Sequence, residues 1–154
     1  MVVRGVLFDL DNTLVDRVRS LDVLAAELVG VFSADLGDVD VEVVAEVLRK
    51  ADGGGYREKE QVFAQILSAL PWEDRPEVGD IKDFWYTTFP KCTCAVAGLH
   101  EVLEALQGQG IKLGIVTNGS EAMQNAKVDR LDVRVYMETV VVSESAGVKK
   151  PVAR

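Results

Sequence analysis

Histidine occurs once in this chain and cysteine twice, so the sequence is poor in the ligands that zinc and other borderline metals prefer. Cys92 and Cys94 stand too close together to suggest a disulfide framework, and His100 lies alone on a predicted helix. The two cysteines read as small apolar fillers in a reducing compartment, and the expected location is the cytoplasm. Cations are also in deficit. Seventeen Lys and Arg against 25 Asp and Glu leave a net charge of −8, with Lys149-Lys150 as the one Lys pair. That balance argues against a nucleic-acid-binding surface. No apolar run approaches the ~18 residues of a membrane helix, and no basic region followed by an apolar stretch opens the chain as a leader would. Internal repeats and low-complexity segments are missing as well. What remains is 154 residues, 48% hydrophobic and 27% charged, enough for one ordinary core with a small satellite domain.

The first feature to carry chemistry is the run Val2-Val3-Arg4-Gly5-Val6-Leu7-Phe8, which breaks into Asp9-Leu10-Asp11-Asn12-Thr13. The run is short, β-branched and aromatic and ends in turn formers, so it predicts a buried strand from Val2 to Phe8. Carboxylates two residues apart at its end project to the same side. In an open α/β sheet, ligands bind beyond the carboxyl ends of the strands. Two acids crowded there repel unless a cation lies between them or one holds a proton.

From Asp16 to Thr88 the apolar residues recur at helical spacing. Val18 to Phe32 outlines one amphipathic helix and Val41 to Leu48 a second, which Gly53-Gly54-Gly55 breaks. Arg57 to Leu70 forms a third, ended by Pro71, and Ile81 to Thr88 a short fourth. From about Cys92 the pattern alternates between helix and strand. His100–Gln107 and Glu121–Leu131 are helical, with Ser120 as N-cap of the second. Ile111–Val116 and Val140–Val142 are strands. Strand–helix–strand alternation implies a parallel sheet with right-handed crossovers. The expected fold class is therefore α/β: a Rossmann-like parallel core from residues 1–15 and 90–154, interrupted by a helical block at 16–89.

Parallel strands bring their ends to one edge. There Asp9 and Asp11 would meet Thr117-Asn118-Gly119 and the segment Lys149-Lys150-Pro151. A carboxylate can attack phosphorus, and a second can protonate the leaving oxygen and then deprotonate water. A hydroxyl, an ammonium and a divalent cation can neutralise the phosphoryl oxygens. Mg²⁺ suits such acids because it prefers oxygen ligands and keeps several waters. On these residues the sequence resembles the haloacid dehalogenase-like superfamily of phosphohydrolases. Asp9-Leu10-Asp11-Asn12-Thr13 matches its first motif, Asp-x-Asp-x-Thr/Val. Thr117 matches its second, and Lys150 before Pro151 its third. The helical block after the first motif resembles a type 1 cap.

The resemblance implies a Mg²⁺-dependent phosphatase acting on a small phosphate ester. Asp9 would be the nucleophile and a metal ligand, and Asp11 the general acid/base, with its backbone carbonyl on the metal. Thr117 and Lys150 would hold the phosphoryl group, with Lys149 as competitor for that place, and Asn118 and Gly119 would help position the substrate. Asp11 argues against the dehalogenase branch, which lacks the second acid; phosphoryl transfer to an acceptor stays open. The family's fourth motif, acids after a further strand, has no match before Arg154. A core incomplete at its C-terminal side, with the first strand as an exposed apolar edge, is expected. Three explanations stand: a truncated chain, a natural short form without activity, or a homodimer that supplies the edge by exchange.

Overall fold

The computed structural model describes residues 3–151. The strands are β1 (Gly5–Phe8), β2 (Val15–Asp16), β3 (Cys94–Ala95), β4 (Lys112–Thr117) and β5 (Met137–Val142). The helices are α1 (Arg17–Val31), α2 (Ser33–Leu36), α3 (Val41–Asp52), α4 (Lys59–Ala69), α5 (Val78–Thr88), α6 (Leu99–Gly108), α7 (Glu121–Arg130) and α8 (Ser143–Ala146). The chain divides into two units: residues 1–16 with 93–154, and residues 17–92. The first is an α/β fold with a parallel sheet in the order β1-β4-β5. Among the described residues no helix is long and apolar enough to cross a membrane.

The sheet register sets the functional edge. β1 pairs with β4 so that Phe8 lies opposite Ile115, and β4 pairs with β5 so that Thr117 lies opposite Val142. The three carboxyl ends therefore finish side by side. Alternation places Leu113 and Ile115 in a core with Leu10, Leu99, Leu103, Val128 and Leu131, against which Val6 and Phe8 pack. β2 and β3 form a separate antiparallel pair, Val15 with Ala95 and Asp16 with Cys94, where the chain leaves this unit and returns to it. At two residues each they are too short to give a periodic signal, and the sequence does not predict them.

In residues 17–92 every described regular element is helical. α3 opens on Asp40, whose carboxylate accepts from the Glu42 amide at 2.8 Å, which satisfies one of the donors a helix start leaves over. Val44, Ala45, Leu48 and Ala51 give it a buried face. Trp85 and Phe89 are buried and pack at a tilt of 42° with ring centroids 4.9 Å apart, and Trp85 meets Phe63 edge-on. These aromatics serve packing. Arg17 and Asp52, both buried, are joined by two 2.7 Å hydrogen bonds in the paired geometry that suits guanidinium and carboxylate. Lys59 approaches the same carboxylate at 3.4 Å. Burial alone would raise the Asp52 pKa, but the Arg17 guanidinium and then Lys59 outweigh it and hold the carboxyl below its ordinary value. Gly55 sits beside this pair at φ +89, where a Cβ would come 2.8 Å from the Arg17 guanidinium carbon, so both the turn and the ion pair require glycine.

Candidate active site

The site starts with the turn that leaves β1. Leu10 is fully buried, and its carbonyl accepts from the amides of Thr13, Leu14 and Val15 at 3.3, 2.9 and 3.0 Å. Asn12 adopts φ 61, a left-handed conformation that Asn tolerates better than most residues. With Leu10 anchored and the chain folded over it, Asp9 and Asp11 are held out at the sheet edge. The Asp9 carboxylate accepts from the Leu10 amide at 2.8 Å.

Lys150 reaches the same carboxylate. Its Nζ donates to Asp9 Oδ1 at 2.8 Å and to the Val116 carbonyl at 2.5 Å. Asn118 fixes the lysine's backbone from both sides: its Nδ2 donates to the Lys150 carbonyl at 3.0 Å, and its Oδ1 accepts from the Lys150 amide at 2.9 Å. Of the two adjacent lysines, Lys150 is thus the one drawn to Asp9. The Asn118 amide is engaged with the chain that carries it.

Thr117 is buried at the end of β4. Gly119 follows at φ +149, its N–H donating to Ser143 Oγ at 3.0 Å. A Cβ on Gly119 would come 2.8 Å from Gln124 Cγ, so this position needs glycine for its backbone and for the side chain that passes it. Ser120 caps α7, its Oγ accepting from the Met123 amide at 3.4 Å, and Glu144 accepts from the Glu121 amide at 2.7 Å. The α7 start is thus tied to the loop after β5.

Three neighbours of these residues are not predicted from sequence: Gln124, Lys127 and Ser143. Lys127 Nζ donates to both carboxylate oxygens of Asp11, at 2.8 and 2.9 Å. Gln124 Nε2 donates to Asp11 Oδ2 at 3.0 Å and to Thr117 Oγ1 at 2.6 Å. A signal for the first two was available. Gln124, Lys127, Val128 and Leu131 recur at helical spacing, so a glutamine and a lysine occupy a stripe that should face the core. Buried polar groups there demand partners.

The arrangement sets two carboxylates against two ammonium groups around a hydroxyl. It can hold an anion near Asp9 and present a second carboxyl to it. For a divalent cation the donors are of the right kind, since hard oxygens suit Mg²⁺. Among the described residues, however, no group of three or more His, Cys, Asp or Glu side chains gathers to hold one. A cation there would draw on the Asp9 carboxylate and the Asp11 backbone carbonyl, since Lys127 and Gln124 engage the Asp11 carboxylate.

Comparison with known proteins places the chain in a family. A family profile described as haloacid dehalogenase-like hydrolase matches residues 3–154. Among curated proteins, the chain is 32% identical over 158 residues to ribulose-1,5-bisphosphate 5-phosphatase of Halopiger xanaduensis, covering 96% of this chain and 66% of that protein. It is 28% identical over 153 residues to glyceraldehyde 3-phosphate phosphatase of Pyrococcus abyssi, covering 97% and 63%. The chain thus spans just under two thirds of the length of these relatives. Among solved structures, HAD-hydrolase YfnB from Bacillus subtilis, bound to magnesium, superimposes with a TM-score of 0.71 at 21% identity, over 99% of this chain and 68% of that one.

Proposed function

The chain belongs to the haloacid dehalogenase-like hydrolase family, and from that premise we propose that it is a Mg²⁺-dependent phosphatase of small phosphorylated metabolites. The observation that carries the reading is the placement of Lys150 Nζ 2.8 Å from Asp9 Oδ1, beside the ends of two parallel strands. An ammonium there can draw a phosphoryl oxygen to within reach of the carboxylate.

In the first step an Asp9 carboxylate oxygen attacks phosphorus. The bond from phosphorus to the ester oxygen breaks, and Asp11, protonated, gives its proton to the departing alkoxide. In the second step water attacks the same phosphorus and passes a proton to Asp11. The acyl-phosphate bond breaks, which releases inorganic phosphate and restores the Asp9 carboxylate. Lys150 and Thr117 hold the phosphoryl oxygens through both steps. Asp9 and Asp11 are the residues that would hold Mg²⁺, and the cation would add neutralising charge at the phosphoryl group. We read the helical unit, residues 17–92, as the cap that chooses the substrate. The named substrates of the two curated relatives, ribulose bisphosphate and glyceraldehyde 3-phosphate, support a phosphorylated sugar as substrate.

A second reading, a relative that keeps the fold without turnover, draws on the lack of a third acid among the described residues. One assay separates the two. Hydrolysis of p-nitrophenyl phosphate by the 154-residue chain is measured with and without Mg²⁺, beside Asp9→Asn. Mg²⁺-dependent turnover that disappears in the variant is the expected result. Turnover that persists in Asp9→Asn, or no turnover in the unmodified chain, favours the second reading.

A further inference from the structure

Gln124 and Lys127 lie one turn apart on α7 and reach two different strand ends. Lys127 spans both oxygens of Asp11 at 2.8 and 2.9 Å, and Gln124 joins Asp11 to Thr117 at 3.0 and 2.6 Å. Both side chains are buried, Lys127 to 4% exposure and Gln124 to 2%. We propose that Lys127 and Gln124 are positioning residues that hold the Asp11 carboxyl and the Thr117 hydroxyl as one preorganised block; the proposal rests on the phosphatase reading above.

The argument begins with cost. Desolvating an ammonium costs several kcal/mol even when it is paired, and apolar residues of similar volume often do as well or better for stability alone. The packing of α7 is already supplied by Val128 and Leu131, which lie in the apolar core. A lysine and a glutamine on the same stripe add little that a methionine and a leucine would not, unless their heads are needed. Both heads land on groups of the predicted catalytic set. An ammonium that spans both oxygens restrains rotation of the carboxyl group about its terminal bond, and an amide shared between acid and hydroxyl ties the turn after β1 to the end of β4. Gly119 completes the device, since a side chain there would collide with Gln124. Groups held in reacting geometry before substrate arrives lower the barrier of the chemical step rather than improve binding.

The test uses the full 154-residue chain. Lys127→Met, Lys127→Arg and Gln124→Met are compared with the parent for hydrolysis of p-nitrophenyl phosphate in Mg²⁺, with kcat and KM separated. Lys127→Met is expected to lower kcat by about 100-fold, the low end of what a placed general acid contributes, with KM little changed. Lys127→Arg, which can still span the carboxylate, is expected to recover most of the loss. Should Lys127→Met fail to fold, Gln124→Met, which leaves the Lys127–Asp11 pair in place, carries the same test. A folded variant with unchanged kcat, or a loss carried wholly by KM, overturns the proposal. A second readout needs no turnover. The Gln124 side-chain amide is expected to be rigid by ¹⁵N relaxation in the parent and mobile in Asp11→Ala; an amide already mobile in the parent overturns the proposal. If the parent shows no Asp9-dependent hydrolysis while the amide behaves as expected, the phosphatase reading fails and the positioning network stands.

Discussion

At the scale of single residues, side chains outside the proposed reacting set fix where its groups lie. Asn118 grips the Lys150 backbone through both ends of its amide. Because those bonds are exposed, each contributes about 1 kcal/mol or less to stability, yet they decide where the Lys150 ammonium lies. Asn118→Ala is therefore expected to lower kcat/KM on p-nitrophenyl phosphate by about tenfold to a hundredfold, as small misplacements of a catalytic group do, while the thermal midpoint hardly moves. Gly119→Ala should lower stability as well as activity. Its φ of +149 is poorly tolerated by a Cβ, and the added carbon collides with Gln124. Backbone strain of this kind costs about 1–3 kcal/mol, and urea denaturation should show a loss of that size. That Asp9, Asp11, Thr117 and Lys150 gather at one sheet edge is legible in the chain, because they sit at motif spacings next to strand ends. Gln124 and Lys127 are harder to read, because α7 is rich in polar residues; their spacing with Val128 and Leu131 marks a core-facing stripe, but only the fold shows which groups their polar heads meet. The choice between Lys149 and Lys150 depended on backbone direction after β5, which no local spacing encodes.

At the scale of elements, α1 and α3 are joined by one buried pair. Arg17 opens α1, Asp52 closes α3, and Lys59 at the start of α4 adds a second cation. Removing one partner leaves a buried charge uncompensated, which costs about 3–5 kcal/mol. Asp52→Asn is expected to destabilise residues 17–92 by that much at pH 7, measured as the shift in urea midpoint. The pH dependence has a definite sign. The folded pKa of Asp52 lies below its ordinary value of 3.8, so the folded state binds this proton less readily than the unfolded chain does. The stabilisation is complete above that ordinary value and disappears as pH falls through the lower folded value. The parent should therefore lose stability more steeply than Asp52→Asn in that acid window, and equal slopes would show that the pair is not coupled to folding. Long elements with clean periodicity, α1, α3, α4 and α7, are legible in the sequence to within a few residues at their ends. β5 is longer than its apolar run, starting at Met137 rather than Val140, because Glu138 and Thr139 are exposed and mask the strand pattern. α8 and the β2–β3 pair are set by tertiary closure, and their few residues carry no period to read.

At the scale of the whole molecule, the sheet leaves a strand and a face open. Among the described residues β1 pairs with β4 alone. Leu7, on the face opposite the Leu113–Ile115 core, is 68% exposed, and Val141 on the same side is 38% exposed. An apolar edge of this kind invites pairing with another strand, and a second copy of the chain carries the same edge, which suits a two-fold arrangement. The net charge of −8 opposes such an encounter, and its reach shrinks to about 10 Å at 0.1 M salt. We therefore expect the 154-residue chain to be largely monomeric when dilute and at low ionic strength, and to associate as either concentration or salt increases. Leu7→Lys should reduce association at every salt concentration, because it places a strongly hydrated charge on the open face without touching the buried core. Sedimentation velocity over a range of protein and NaCl concentrations checks this. A single monomeric species under all conditions would mean that this edge does not recruit a second copy. Association that Leu7→Lys leaves unchanged would move the contact to another surface.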